Sequence, residues 1–443
     1  MTGERMGRLR TIIEDALEQP AGERAEFVAI ACADDTELKR TAEQLLDAES
    51  NFGSFLDLPE TARVRAAHSE ILGPDSVGGR RIGPYQLVQV LARGGMGTVF
   101  CAVRADDAFE QQVAIKLINR GMDSEALLRR FEQERQFLAD LDHPNIARLL
   151  DGGTSEDGQP YIVMEYIEGE PIDTFCDSQR LGVRKRIELF RQVCLAVQYA
   201  HQNLVVHRDI KPANILVTSS GIPKLLDFGI SKLLANDAPG PGTGERTLTG
   251  LQAMTPRYAS PEQITGGRIT TASDVYSLGV VLYELLSGHR PYLLDDLTGY
   301  EKERVICETE PTRPSTAVTT SKSLRSASGR IRLVTPESVA ETRRERPDQL
   351  RRALRGDLDN IILRAMAKDS QRRYATAEQL SEDLQRHLDG RPINARTPSM
   401  AYRAVKFVKR NKTSVTAATI VVLALSCGLI VSRTANVQMR EAE

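Results

Sequence analysis

"VVHRDIKPANILV" occupies Val205–Val217, and its reading decides the fold. The apolar residues at either end read as strand fragments, with Asp209, Lys211 and Asn214 in a polar loop between them. A carboxylate placed this way can accept a hydroxyl proton, and the nearby cation can neutralise a phosphoryl group in transit. The amide oxygen of Asn214 can hold Mg2+. Downstream, "KLLDFGISK" adds a second acid, Asp227, ahead of an aromatic residue and a glycine. Carboxylate plus carbonyl oxygen is the hard donor set that Mg2+ prefers.

Working upstream, "LARGGMGTVF" (Leu91–Phe100) is a glycine-rich turn between apolar stretches. A dinucleotide fold would place a helix directly after the glycines, and a Walker loop would end in G-K-[S/T]. Here Val99, Cys101 and Val103 alternate as in a strand, giving strand–turn–strand. Gly94, Gly95 and Gly97 let the backbone come close to phosphates, with Arg93, Met96 and Thr98 interleaved. Ala92 stands where such loops usually carry their first glycine. "VAIK" then follows, ending in Lys116 with Ala114 two residues before it. An amine in an apolar strand needs a partner, and Glu134 in the next helical run is the obvious one.

The rest of the chain sets the frame. Its 443 residues are 41% apolar and 27% charged with net charge −2, which describes a globular chain of more than one domain and gives no reason to expect nucleic acid. Six scattered cysteines without C-x-x-C spacing and six histidines without H-E-x-x-H argue against a disulfide framework or a structural metal site. Short β-rich runs at Tyr85–Leu91, Thr98–Val103, Gln112–Ile118, Ala147–Asp151 and Tyr161–Tyr166 surround the helical run "SEALLRRFEQERQFLADL". After Gly169 the pattern turns helical: Ile187, Phe190, Cys194 and Val197 mark an amphipathic helix, and Ser277–Leu286 an apolar one. A strand-rich part feeding a helix-rich part predicts two lobes.

With these motifs in order, residues Ile82 to Leu388 resemble a eukaryotic-like protein kinase, specifically the membrane-anchored serine/threonine kinases of bacteria. The fold class this implies is α+β: a small β-rich N-lobe and a large helical C-lobe, over residues 82–390. The resemblance implies Asp209 as catalytic base, Lys211 on the γ-phosphate, and Asn214 and Asp227 as ligands of Mg2+, or of Mn2+ in its place. Lys116 would bind the α- and β-phosphates of ATP and pair with Glu134. Met164 resembles the gatekeeper, and Glu165, Tyr166 and Ile167 the hinge that bonds adenine through backbone groups. Thr255 would lie beside the acceptor, Glu262 would pair with Arg373, and Asp274 would brace the catalytic loop. Two departures stand out: Ala92 for the first glycine, which removes no charge or ligand, and Ser260 at the alanine position of the A-P-E signature.

Arg208 precedes the base, and in the family such an arginine faces a phosphorylated residue of the activation segment. That segment, Asp227 to Glu262, contains Thr243, Thr247 and Thr249. Phosphorylation is expected at Thr247 or Thr249. The function implied is an ATP-dependent kinase that phosphorylates protein serine or threonine and itself, with a homodimer as one route. A catalytically silent scaffold on the same fold is the alternative, and it would typically lack Lys116, Asp209, Asn214 or Asp227.

Outside the kinase region, residues 1–58 read as a helical module and 59–81 as a linker. Residues 308–355, rich in Ser, Thr, Arg and Pro, are expected to form a mobile insertion. Residues 391–412 are basic, and Thr413–Ser432 runs without a charge, long enough to cross a membrane as a helix. Read as a membrane span rather than as a buried core helix, it is expected to make a single-pass protein of the inner membrane, with the basic flank placing the kinase region in the cytoplasm by the positive-inside rule. Residues 433–443 form a short tail, so either the part beyond the span is tiny or the chain is cut from a longer one.

Overall fold

The structure, a computed structural model, describes residues 80–94, 97–106, 111–118, 140–228, 256–294, 297–325, 331–396, 399–411, 415–417, 419–428 and 438–439, together with Cys32. The chain divides into two compact units, Met1–Arg80 with Leu87–Val90 and Arg81–Gln86 with Leu91–Glu443. The second unit holds the candidate catalytic residues. Apart from Cys32, which is helical and buried, the N-terminal module of residues 1–58 lies outside the described residues. So do the helical run that carries Glu134 and the threonines at 243, 247, 249 and 255.

Six strands form the first sheet: β1 Arg81–Ile82, β2 Tyr85–Gly94, β3 Gly97–Arg104, β4 Gln112–Ile118, β5 Leu149–Thr154 and β6 Pro160–Glu165, in the order β1-β2-β3-β4-β6-β5. Val113, Ala114, Ile115, Leu117 and Ile118 of β4 are buried, so this strand is covered on both faces. Lys116 is the residue in that run that remains half-buried. β3 pairs with β4 from Gly97↔Ile118 to Val103↔Gln112, which sets Val99 beside Lys116. Gly97 is dictated by this pairing: at φ 154° a Cβ would stand 2.0 Å from the Leu117 carbonyl oxygen. The sheet thus fixes the far edge of the glycine turn against the lysine strand.

A three-stranded sheet follows, made of β7 Gly169–Pro171, β8 Ile215–Thr218 and β9 Pro223–Leu225. Around it stand helices α1 Ile172–Ser178, α2 Val183–Gln202, α3 Pro261–Thr265 and α4 Thr271–Ser287. Along α2 the buried residues Val183, Ile187, Phe190, Cys194 and Val197 alternate at spacings of four and three, one face of a helix. By contrast α4 is buried on nearly every side, from Ser273 to Ser287. It packs on α2 and on α9 Asp357–Ala365, where Gly279 leaves room for Ala365 and Met366. Of the two strand fragments read around the polar loop, only the second forms, as β8; Val205–His207 is irregular, with the Val205 N–H donated back to the Ala200 carbonyl at 2.9 Å and the His207 N–H to the Asp274 carboxylate.

The stretch 308–355 differs from the mobile insertion expected of it. After α5 Gly299–Glu308 it carries α6 Pro314–Ala317, the hairpin of β10 Lys322–Arg325 and β11 Ile331–Val334, α7 Pro336–Thr342 and α8 Pro347–Leu354. Val318, Val339, Ala340, Leu350 and Leu354 join the main core. Helices of four to eight residues are too short to show a period in sequence, so the apolar residues read as scattered. Arg343 of this stretch is 2% exposed, and it donates to the Leu285 and Leu286 carbonyls at 2.9 and 2.7 Å. Arg186 donates to Leu285 as well, at 3.0 Å. Two buried guanidinium groups thereby satisfy the carbonyls that end α4. The series closes with α10 Ala377–Leu388 and α11 Met400–Arg410.

Candidate active site

The 3-10 turn Pro212–Asn214, opened by a proline whose φ is already suited to it, brings Asn214 back towards Asp209. Asn214 Nδ2 donates to the Asp209 main-chain oxygen at 2.8 Å and to its Oδ2 at 3.0 Å. Lys211 Nζ lies 2.8 Å from the same Oδ2. The amide nitrogen of Asn214 is therefore turned to Asp209, and its oxygen is the atom left to act as a metal ligand.

Asp227 adopts φ 58°, a left-handed conformation that Asp tolerates better than most residues. Its Oδ2 lies 2.7 Å from Lys116 Nζ, joining two residues 111 apart in sequence. Both side chains keep some exposure, 12% for Lys116 and 27% for Asp227. The expected Glu134 partner lies outside the described residues, so the lysine's described partner is this acid.

The two acidic loops are tied by His207, which is fully buried. Its Nε2 lies 2.8 Å from the Leu226 carbonyl, which can only accept, so that nitrogen carries the hydrogen. Nδ1 then accepts from the Asp209 backbone N–H at 3.2 Å. Burial lowers the imidazole's pKa against the pull of Asp274 and Asp209, which keeps the ring in this neutral tautomer. The ring also packs on Phe228 with centroids 4.7 Å apart and the planes tilted by 39°.

Beneath the loop, Asp274 of α4 accepts from the backbone N–H groups of His207 at 2.7 Å and Arg208 at 2.8 Å. His201 Nε2 lies 2.8 Å from the same carboxylate. Burial would raise this carboxyl, but the His201 and His207 contacts bring it below its ordinary value. Arg208 stands at φ 66°, a left-handed bend held by Asp274 from below and by Gln263 Nε2 on the Arg208 carbonyl at 2.8 Å.

Above the acids, Met164 pairs with Ala114 across β4 and β6. Its side chain borders a cavity of about 30 Å3 shared with Phe228, Ile162 and Leu149. Glu165 ends β6 with its carboxylate 3.0 Å from Lys224, while Tyr166 and Ile167 run on without regular structure. Among the described residues nothing hydrogen-bonds the Ile167 backbone, which leaves both its polar groups open to solvent or to a ligand. Of the glycine turn, Leu91, Ala92 and Arg93 are exposed and Thr98 and Val99 half-buried; Gly95 and Met96 lie outside the described residues. Ala92 sits inside β2 in a conformation open to any L residue, so its methyl group costs the backbone nothing.

A lysine on a strand, two acids on facing loops and an asparagine turned to one of them sit where residues 85–384 match the protein kinase domain family. The chain belongs to that family. Serine/threonine-protein kinase PrkC of Bacillus subtilis (strain 168) is 34% identical over 321 residues, which cover 72% of this chain and 42% of that protein. Serine/threonine-protein kinase PknB of Mycobacterium leprae (strain TN) is 32% identical over 316 residues, covering 70% and 44%. The chain thus spans under half the length of these curated relatives. A crystal structure of the Mycobacterium tuberculosis PknI kinase domain gives a TM-score of 0.50 at 23% identity, over 71% of this chain and 99% of that one. That likeness concerns the two-lobed kinase fold alone.

In this kinase domain Glu262 and Arg373, expected as a pair, form a closed cluster. Arg373 Nη1 and Nη2 lie 2.7 and 2.8 Å from the Glu262 carboxylate, and the guanidinium also donates to the carbonyls of Ala367, Ala272 and Lys368. Ser273 Oγ adds a hydrogen bond of 2.6 Å to Glu262. Burial acts to raise Glu262, and Arg373 and Ser273 outweigh it, leaving the carboxyl below its ordinary range.

Sequence reasoning missed His207, His201 and Gln263. The spacing S-x-x-Q over Ser260–Gln263 is a helix-start signal that would have found the last, since Gln263 Oε1 accepts the Ser260 N–H at 2.9 Å. Ser260, the second departure, is buried, and its Oγ has no partner among the described residues.

Proposed function

We propose that this chain transfers the γ-phosphate of ATP to serine and threonine hydroxyls of proteins. The observation that carries the reading is the Asp209 carboxylate with Lys211 at 2.8 Å and Asn214 at 3.0 Å, facing an Asp227 already paired to Lys116. Asp209 accepts the proton of the acceptor hydroxyl as its oxygen bonds to the γ-phosphorus. The bond from that phosphorus to the β–γ bridging oxygen breaks, and ADP leaves with the electron pair. Lys211 lies close enough to the base to meet the transferring group's negative charge. Lys116 would exchange its ion pair with Asp227 for the α- and β-phosphates, with Glu134 steadying it. The Ile167 backbone would bond adenine.

The donor set fits a hard cation: the Asp227 carboxylate and the Asn214 amide oxygen would hold Mg2+, or Mn2+ in its place. When bound, that ion supplies neutralising charge at the phosphates. Autophosphorylation at Thr247 or Thr249, with Arg208 receiving the phosphate and a second copy as a possible donor, belongs to the same reading. Thr255 would border the acceptor.

Membrane attachment is part of the proposal too. Among the described residues no helix is long and apolar enough to cross a membrane. The reading rests instead on the uncharged stretch Thr413–Ser432, on Ile420, Val421, Val422, Leu423 and Leu425 being helical and each more than half exposed, and on the basic residues before them. The kinase domain would then face the cytoplasm from the inner membrane.

The test is radiolabel transfer from Mg·ATP to the full chain and to a generic protein acceptor, beside Asp209→Asn. Label in the first and none in the second supports the reading, with mapping to place the sites. ATP binding without transfer in either protein would sink it and leave a scaffold.

A further inference from the structure

The helix α11 Met400–Arg410 has two unlike faces. On one, Tyr402 donates its hydroxyl to Asp357 Oδ1 at 3.0 Å and accepts the Ile393 N–H at 3.3 Å, while Lys406 pairs with Asp357. Arg396 lies 4.6 Å over the Tyr402 ring. Asp357 opens α9, deep in the helical lobe, and is 8% exposed. This face is bolted to the kinase domain.

On the opposite face, Met400, Ala404, Phe407 and Val408 recur at helical spacing and point to solvent, with Met400 83%, Phe407 54% and Val408 46% exposed. Met400, Ala404 and Phe407 border a groove with Pro392 and Arg403. Exposed apolar side chains in a stripe on a helix otherwise tied down need a cover.

Charge and position say what covers it. From Arg391 to Lys412 there are seven lysines and arginines and no acid, in a chain whose net charge is −2; Arg391 and Lys406 are paired to Asp389 and Asp357, and the excess that remains is positive. The helix ends at Asn411, and the uncharged run begins at Thr413. Two or three residues span at most ~10 Å. If the run enters a bilayer, the C-terminal end of α11, with Phe407 and Val408, is held within about that distance of the headgroup layer.

We infer that α11 is an interfacial helix whose Met400–Val408 stripe lies in the headgroup layer of an anionic bilayer. Its Tyr402–Lys406 face holds the kinase domain against that surface through Asp357. The inference rests on the membrane reading given above and goes further: the domain is fixed at the surface rather than hung from a loose tether.

The sequence contains no tryptophan, so a single one introduced reports on its own surroundings. Phe407→Trp, Leu423→Trp and Tyr300→Trp would each be made in the full chain and reconstituted in phosphatidylcholine–phosphatidylglycerol vesicles, with and without brominated acyl chains. Tyr300 is 75% exposed on α5 and serves as the aqueous control. Phe407→Trp should be blue-shifted and quenched at least about twofold by bromolipid, as Leu423→Trp is, with Tyr300→Trp unchanged. Leaving out phosphatidylglycerol should weaken quenching at position 407 and leave position 423 unaltered.

Quenching at 423 but not at 407 overturns this inference while the anchor stands. A blue shift at 407 without bromolipid quenching also overturns it, because protein, such as a second copy, would then be the cover. No quenching at 423 removes the membrane reading and this inference with it.

Discussion

Two carboxylate–cation pairs of the same length are closed to very different degrees in this molecule. Glu262–Arg373 and Asp227–Lys116 both close to 2.7 Å. Arg373 is fully shielded, and its donors are taken up by Glu262 and three backbone carbonyls. Lys116 and Asp227 keep exposed surface, and among the described residues neither has a second side-chain partner. A saturated pair has nothing left to offer a ligand, so it can only hold structure. An unsaturated pair at a cleft can trade partners, and that exchange is what phosphate binding asks for.

The contrast can be attacked from both ends. The largest effect is expected for Asp209→Asn, which should cut phosphate transfer roughly 10³- to 10⁴-fold and leave the melting temperature nearly unchanged. Next comes Arg373→Ala, which strands the Glu262 carboxylate and should lower unfolding free energy by about 3–5 kcal/mol in chemical denaturation. The turnover of protein still folded at low temperature should change little. Lys116→Met should show the reverse profile: transfer down about 10²-fold or more in steady-state assays, with a stability change within about 1 kcal/mol. If Lys116→Met lowers stability as much as Arg373→Ala does, the distinction between closed and open pairs fails.

The smallest and finest test uses Glu284. It accepts the Tyr258 hydroxyl at 2.7 Å, and burial pushes its pKa from the ordinary 4.5 up to about 7. Between those values the folded state binds more protons than the unfolded one. Stability should therefore fall as pH rises from about 4.5 to about 7, then level off. Glu284→Gln keeps an oxygen for Tyr258 and removes the titration. Denaturant midpoints measured across that range should lose this slope. An unchanged slope would assign it to other groups.

How much of this was legible beforehand depends on range. The acids, the lysine and the asparagine announced themselves through local spacing, as did β4, whose bounds Gln112–Ile118 match the run read from sequence. The Asp209 cluster closes within five residues, so its geometry was readable in place. Links between distant segments were not. Nothing near His207 says that its ring will meet the Leu226 carbonyl, and nothing near Arg343 says that it will meet the end of α4 57 residues away. Those contacts arise from packing, and a stretch such as 308–355 looks unstructured until its partner surface exists.

One consequence of α4 concerns the order in which the molecule comes apart. This helix carries the loop of His207 and Arg208 on Asp274, the Tyr258 carbonyl on Ser277 and Arg343 on its last carbonyls. Its own amides lie in the core, where exchange with solvent demands near-global opening. The His207 and Arg208 amides donate to Asp274, so they inherit that protection although they belong to a loop. That bend should exchange hydrogen as slowly as the centre of the domain, and it should lose its shape on heating only when the helical lobe itself melts.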